Sequence, residues 1–274
     1  MDKNSEKKVV VILGMMRSGT SFLASWLRFQ GIDFGNEFIA PNKLWNEEGF
    51  FEEIELRKVL EKVKKRTDNL FNRLLINKIC KVNLYNKEKQ LIPFIINNYL
   101  KNKEQWGWKN PFASYIWKDE LHSIFKEVVG EKNLMIIVGF RDFKSVVDSL
   151  MRVTFFSKHL LLRVHCKLFP NRYANKFLDM WIKYNSSLLV FFEDNQSNNN
   201  ICFLSTIYLL NNSEIVYDKM VNFGFNIEYT ESKKLFKKEL FGRSANIEYK
   251  FNPELFDEAT SILNKLKRVE SSCF

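Results

Sequence analysis

Histidine and cysteine are both scarce, with three of the first and four of the second in 274 residues. The cysteines, Cys80, Cys166, Cys202 and Cys273, are scattered without a Cys-x-x-Cys pair. That spacing argues against a zinc site or a disulfide frame and for free thiols in a reducing compartment. No apolar run approaches membrane-spanning length, and the start Met1-Asp2-Lys3-Asn4-Ser5 lacks a signal-peptide core. A soluble cytoplasmic protein is therefore expected. Linker-like stretches, internal repeats and heptads are missing too, so residues 1–274 are expected to form a single domain.

Acidic residues are also in short supply. Forty-two Lys and Arg face 32 Asp and Glu, for a formal net charge of +10. No nucleic-acid recognition motif accompanies the excess, so nucleic acid is not an expected partner. An anionic small ligand, an acidic glycan or an anionic membrane surface accounts for it equally well. The shortage is sharpest in the segment 150–178, where acids are absent while Arg152, Lys158, Arg163, Lys167, Arg172 and Lys176 alternate with apolar residues. It reads either as a basic amphipathic stretch beside the cleft mouth, able to meet an acceptor or a lipid surface, or as a helix with lysines on its wet face.

What the chain does have is concentrated in two places. Val9-Val10-Val11-Ile12-Leu13 reads as a buried parallel strand. Gly14-Met15-Met16-Arg17-Ser18-Gly19-Thr20-Ser21 follows at once and leads into a helical pattern from Phe22. Strand, glycine-bearing loop and helix N-terminus together make an anion cradle, with loop amides and the positive end of the helix dipole facing one spot. The spacing Gly14-x4-Gly19 matches half of a nucleotide triphosphatase P-loop, but Thr20 stands where that loop needs lysine. ATP chemistry is thereby disfavoured. The cation lies earlier, as Arg17, with Ser18 to Ser21 supplying amides and hydroxyls.

The second place is Leu134–Phe140, another buried-strand run that ends in Arg141-Asp142, with Ser149 eight residues beyond the arginine on the next helix. Ligands of open α/β sheets gather at strand C-termini, so Arg141 is expected to face the same crevice as the first loop. A planar guanidinium can hold two phosphate oxygens at once. A nucleotide triphosphatase would place a magnesium-binding aspartate at that strand end. Arg141 stands there instead, and the sequence offers no metal site.

Arg17-Ser18-Gly19-Thr20-Ser21 resembles the 5′-phosphosulfate loop of the sulfotransferases, whose donor is 3′-phosphoadenosine-5′-phosphosulfate (PAPS), and Phe22 fills the aromatic position that often follows. The Arg141-x7-Ser149 spacing is similar to that family's 3′-phosphate site. Looser likenesses to bacterial, carbohydrate-type members run through Gly49-Phe50-Phe51-Glu52, Trp106–Pro111, Trp181–Leu189 and Phe203–Thr206. The resemblance spans roughly residues 8 to 225.

The resemblance implies a PAPS-dependent transfer of a sulfuryl group to a hydroxyl of a carbohydrate or glycolipid acceptor. Arg17, Ser18, Gly19, Thr20, Ser21, Phe22, Arg141 and Ser149 would bind the donor, with Arg243 in Leu240–Ser244 as a late basic turn over the 3′-phosphate. Arg17 and Lys109 would serve the leaving phosphate and the transferring group. Small-molecule members take their base from a histidine near the position of Asn110, which cannot accept a proton. His122, His159 and His165 lie elsewhere and read as surface or packing residues. Glu52 matches the glutamate of carbohydrate-directed members, with Glu48 and Glu53 as rivals. Asn110 also replaces the commoner aspartate, and Phe112 a frequent arginine. A P-loop small-molecule kinase and a catalytically silent nucleotide-binding relative stay open beside this reading.

Alternating strand and helix patterns predict an α/β fold, a three-layer P-loop-type domain with a mainly parallel central sheet covered by helices on both faces. Strands are expected near Val9–Leu13, Gly31–Gly35, Trp106–Lys109, Leu134–Phe140 and Ile201–Thr206. Helices are expected near Thr20–Phe29, Ile54–Lys65, within Leu70–Leu100, and over Lys118–Val129, Phe143–Leu150, Tyr173–Glu193 and Glu214–Phe223.

Overall fold

A computed structural model describes residues 7–35, 54–67, 83–101, 103–157, 159–237 and 247–274. Glu48, Glu52, Glu53, Cys80, Lys158, Arg243 and the Gly49–Glu52 and Leu240–Ser244 elements lie outside the described residues.

Four strands, β1 (Lys8–Leu13), β2 (Gln105–Lys109), β3 (Leu134–Phe140) and β4 (Ile201–Ser205), form one sheet in the order β2-β1-β3-β4. All neighbours are parallel, with Val11 opposite Trp108 on one side and Ile136 on the other. Parallel neighbours need crossover connections, and helices supply them. In chain order the described α-helices are α1 (Thr20–Phe29), α2 (Ile54–Thr67), α3 (Asn86–Leu100), α4 (Ala113–Ile116), α5 (His122–Val129), α6 (Phe143–Phe155), α7 (Leu160–Leu168), α8 (Pro170–Glu193), α9 (Thr206–Asn211), α10 (Ser213–Phe223) and α11 (Pro253–Cys273), the last three following β4.

The period of two along each strand sorts its residues between two cores. Val9, Val11 and Leu13 join Trp106, Trp108, Ile136, Val138 and Phe203 in a large cluster with α2, α3, α5, α6, α8 and α11. Val10 and Ile12 join Met135, Ile137, Cys202 and Leu204 in a smaller cluster with α1, α9 and α10. Both faces are therefore dry, which is why every one of the central residues Val9 to Leu13 is fully buried. The expected three-layer α/β architecture is what forms.

Three local expectations change. Gly31–Gly35 holds no strand; Asp33 makes a single parallel bridge to Trp106, and its carbonyl accepts from Gly107 N at 2.8 Å. The helix expected over Lys118–Val129 starts earlier and is interrupted, with α4 passing into a π-turn at Trp117–Leu121 before α5. Asn110 causes the early start, since its side-chain carbonyl accepts from Phe112 N at 2.9 Å and Ala113 N at 3.3 Å. An aspartate would cap the same turn, so the asparagine keeps the local geometry. Finally, α11 adds a C-terminal helix against α8 and β4 for which no expectation stood. Asn252 caps it through Glu254 N and Leu255 N.

Candidate functional site

The carboxyl ends of β1, β2 and β3 lie side by side, and each delivers one element to the same edge. From β1 comes the loop Gly14–Gly19. It is tight because Gly14, at φ 134°, approaches β3: a Cβ there would lie 2.1 Å from the Gly139 carbonyl oxygen. Gly139 is constrained in turn, since its own Cβ would meet Thr20 Cγ2 at 3.0 Å. The two glycines let the start of α1 sit directly over the β1–β3 pair. Ser114 fixes the loop from the other side, its hydroxyl accepting from Gly14 N at 2.8 Å. Sequence reasoning missed Ser114. Its only signal is its place one turn after the Asn110-Pro111 cap.

Two residues inside the loop adopt left-handed backbone, Arg17 at φ 72° and Gly19 at φ 86°. For glycine this is free; for arginine it costs about 1–2 kcal/mol. Arg17 Nε then donates to Ser149 Oγ at 2.8 Å. Ser149 is buried on the second turn of α6, so the loop after β1 and the motif after β3 meet in space.

The N-terminus of α1 is equipped for an anion. Its N-cap, Gly19, brings no capping side chain, and no carboxylate occupies the first turn. Ser18 is 2% exposed and its hydroxyl oxygen is buried without a hydrogen-bond partner. A buried hydroxyl in that state costs about 1–3 kcal/mol, a penalty that an anion oxygen would remove. The loop residues therefore fit a phosphate or sulfate group.

Lys109 ends β2. Trp106 and Trp108 point into the large core, so the pleat sends Lys109 to the α1 side, where its ammonium donates to Ser21 Oγ at 3.1 Å. The side chain is only 2% exposed. A lysine so buried needs oxygen partners, and the Ser21 hydroxyl is one of them.

Arg141 follows β3. Its carbonyl accepts from Trp181 Nε1 at 3.0 Å, which ties the strand end to α8. Burial pulls its guanidinium below the ordinary arginine range, against the pull of the Asp142 and Asp148 carboxylates. Asp142 is also the N-cap of α6, accepting from Ser145 N at 2.9 Å. Arg17, Lys109 and Arg141 thus bring three cations to one edge of the sheet.

Not every expected residue faces this edge. Phe22 is 5% exposed and buried in the smaller core, edge-on to Phe236 with ring centroids 5.4 Å apart. It anchors α1. Thr20 is buried against Gly139. His122 packs on Phe191 at 4.9 Å between ring centroids, and burial lowers its pKa. His165 shares a hydrogen bond with the Tyr173 hydroxyl at 3.0 Å. Phe112 packs beside Tyr115 and under the Lys64 ammonium. Among the described residues no three His, Cys, Asp or Glu side chains converge as they would around a metal ion, and no helix is long and apolar enough to cross a membrane.

No protein-family model matches this chain, and no curated protein matches it in sequence. Among solved structures it is similar to the sulfotransferase domain of the Synechococcus PCC 7002 olefin synthase, at 14% identity and a TM-score of 0.45 over 100% of this chain and 98% of that one. It is similar to the sulfotransferase STF1 of Mycobacterium tuberculosis H37Rv at 11% identity and a TM-score of 0.45, over 94% of this chain and 78% of that one. The sulfotransferase domain of the curacin biosynthetic pathway gives 15% identity and a TM-score of 0.44 over 95% and 98% of the two chains. Similarity this distant carries no inference about activity.

Proposed function

We propose that the protein is a sulfotransferase that takes its sulfuryl group from PAPS and passes it to a hydroxyl of a carbohydrate or glycolipid. The hydrogen bond from Arg17 to Ser149 carries this reading, because it joins the loop suited to one phosphate with the motif suited to a second. A ligand with two separated anionic groups on one nucleotide answers that pairing.

The donor, when bound, supplies the sulfuryl group. The loop amides, the Ser18 hydroxyl and the α1 N-terminus hold its 5′ anion, and Arg17 neutralises charge that grows on the leaving phosphate. Arg141 and Ser149 hold the 3′-phosphate, the first through its planar fork. Lys109, fixed against Ser21, places a positive charge in the same cleft for the transferring group. Oriented cations of this kind need no reorganisation as charge shifts, which is the main source of their effect. Glu52 takes the proton from the attacking hydroxyl, and Arg243 closes over the 3′-phosphate. Both assignments rest on the sequence alone.

Transfer of label from ³⁵S-PAPS to glycan and glycolipid extracts tests the proposal. Label on an acceptor hydroxyl, absent with boiled protein, is the expected result. Binding of adenosine 3′,5′-bisphosphate without transfer to any acceptor class would mark a silent relative, and magnesium-dependent binding of ATP in its place would mark a kinase.

A further inference from the structure

Helix α7 (Leu160–Leu168) presents its apolar residues outward. Cys166 is its one buried residue, whereas Leu160, Leu161 and Leu168 are 58%, 87% and 67% exposed. At about 100° per residue, Leu160, Val164, Leu168 and Leu161 fall within about 100° of arc, a continuous stripe along the helix. Arg163 and Lys167 flank one edge of that stripe, and Cys166 lies behind it, toward α6 and α8. Phe156 and Phe169 extend the apolar surface beyond the two ends of the helix, both about half exposed. Single exposed leucines are ordinary on a protein surface, but a contiguous set of aliphatic and aromatic side chains marks a contact.

Charge identifies what covers it. Between Asp148 and Asp179 the chain has no acidic residue, while Arg152, Lys158, Arg163, Lys167, Arg172 and Lys176 all occur there. A second copy of this chain would set Arg163 and Lys167 against their own counterparts, so like charges would oppose self-association through the stripe. An anionic bilayer meets both requirements. Apolar side chains sink to the headgroup–acyl boundary and lysines and arginines stay among the phosphates.

We infer that α7 and the phenylalanines at its ends dock the protein on the surface of an anionic lipid bilayer. The contact is peripheral, made by one short helix, and therefore reversible. It sits at the far end of α6 from Arg141, about two turns beyond Ser149. The length of α6, about 20 Å, separates the docking helix from the strand end that carries Arg141. Docking does not require the donor site to be what we propose above, and its test is independent of nucleotide.

Sedimentation of the full chain with vesicles decides the matter. Wild-type protein is expected to pellet with phosphatidylcholine vesicles containing about one-third phosphatidylglycerol and to stay in solution with phosphatidylcholine alone. The double substitution Leu161→Asp with Leu168→Asp touches only exposed positions, so folding, checked by circular dichroism, is kept while binding falls at least about tenfold. Arg163→Glu with Lys167→Glu is expected to lower binding by a similar factor, and added salt to weaken the wild type. Failure of wild type to bind the anionic vesicles overturns the inference. So does unchanged binding of both variants, or a wild-type dimer that the leucine variant converts to monomer.

Discussion

Arg17 Nε donates to Ser149 Oγ across 2.8 Å, joining residues 132 positions apart in the chain. The arginine comes from a loop set by two glycines and the serine from the helix that Asp142 caps, so each arrives by a different crossover. The bond holds the two proposed anion-binding elements at a fixed separation. Such pre-organisation raises affinity by lowering the ordering cost of binding.

Ser149→Ala removes the acceptor for Arg17 and one hydroxyl from the proposed 3′-phosphate site. Affinity for adenosine 3′,5′-bisphosphate is expected to fall about tenfold by calorimetry. Arg141→Ala is expected to cost more, about tenfold to a hundredfold, since it removes a charged donor. Adenosine 5′-phosphosulfate, which lacks the 3′ group, should distinguish poorly between Arg141→Ala and wild type. An equal loss for both ligands would move Arg141 out of the 3′-phosphate site.

Lys109→Met keeps the length of a side chain that is almost wholly buried and removes its charge. Loss of a pre-organised cation is expected to lower kcat about a hundredfold or more, with bisphosphate affinity changed by less than about threefold. Rapid-quench assays with labelled donor separate the two effects. A large loss of affinity with kcat intact would make Lys109 a binding residue.

Gly14→Ala places a methyl group against the Gly139 carbonyl at a backbone angle that L-residues avoid. Contact and strain together are expected to cost about 3 kcal/mol, read as a lowered denaturation midpoint at unchanged slope. Stability within error of wild type would show that β1 and β3 do not approach this closely.

Glu270 on α11 accepts hydrogen bonds from Ser205 N and Oγ at the end of β4, and burial raises its pKa above the ordinary 4.5. The folded state therefore binds this proton more tightly than the unfolded chain. Its stabilising contribution is complete below pH 4.5 and is lost as pH rises through the folded-state value. The difference in Tm between wild type and Glu270→Gln should accordingly shift against wild type as pH rises from about 4 to 7. A pH-independent difference would show that the carboxyl titrates as if exposed.

The central sheet was legible because its strands are buried on both faces. Val9–Leu13 and Leu134–Phe140 are unbroken apolar runs, and they became β1 and β3 with at most one residue of change. The loop was legible through Gly14 and Gly19, whose positions backbone sterics dictate. Other features depend on partners distant in sequence. Nothing in the residues Trp117–Leu121 announces the π-turn that they form. Phe22 looked like a site residue by position, yet it packs against Phe236, more than 200 residues away. Ser114 was invisible for the same reason, since its partner is the backbone of Gly14. The outward apolar stripe of α7 was half legible: its charge pattern was plain, but exposure is a property of the fold.

Isothermal calorimetry of the full chain with adenosine 3′,5′-bisphosphate, wild type beside Ser149→Ala, tests the two-anion site most directly. Saturable one-to-one binding at micromolar concentration, weakened in the variant, is the expected result. No heat with the bisphosphate, or equal affinity in both proteins, would contradict the claim that Arg17 and Ser149 bring two anion pockets to one nucleotide.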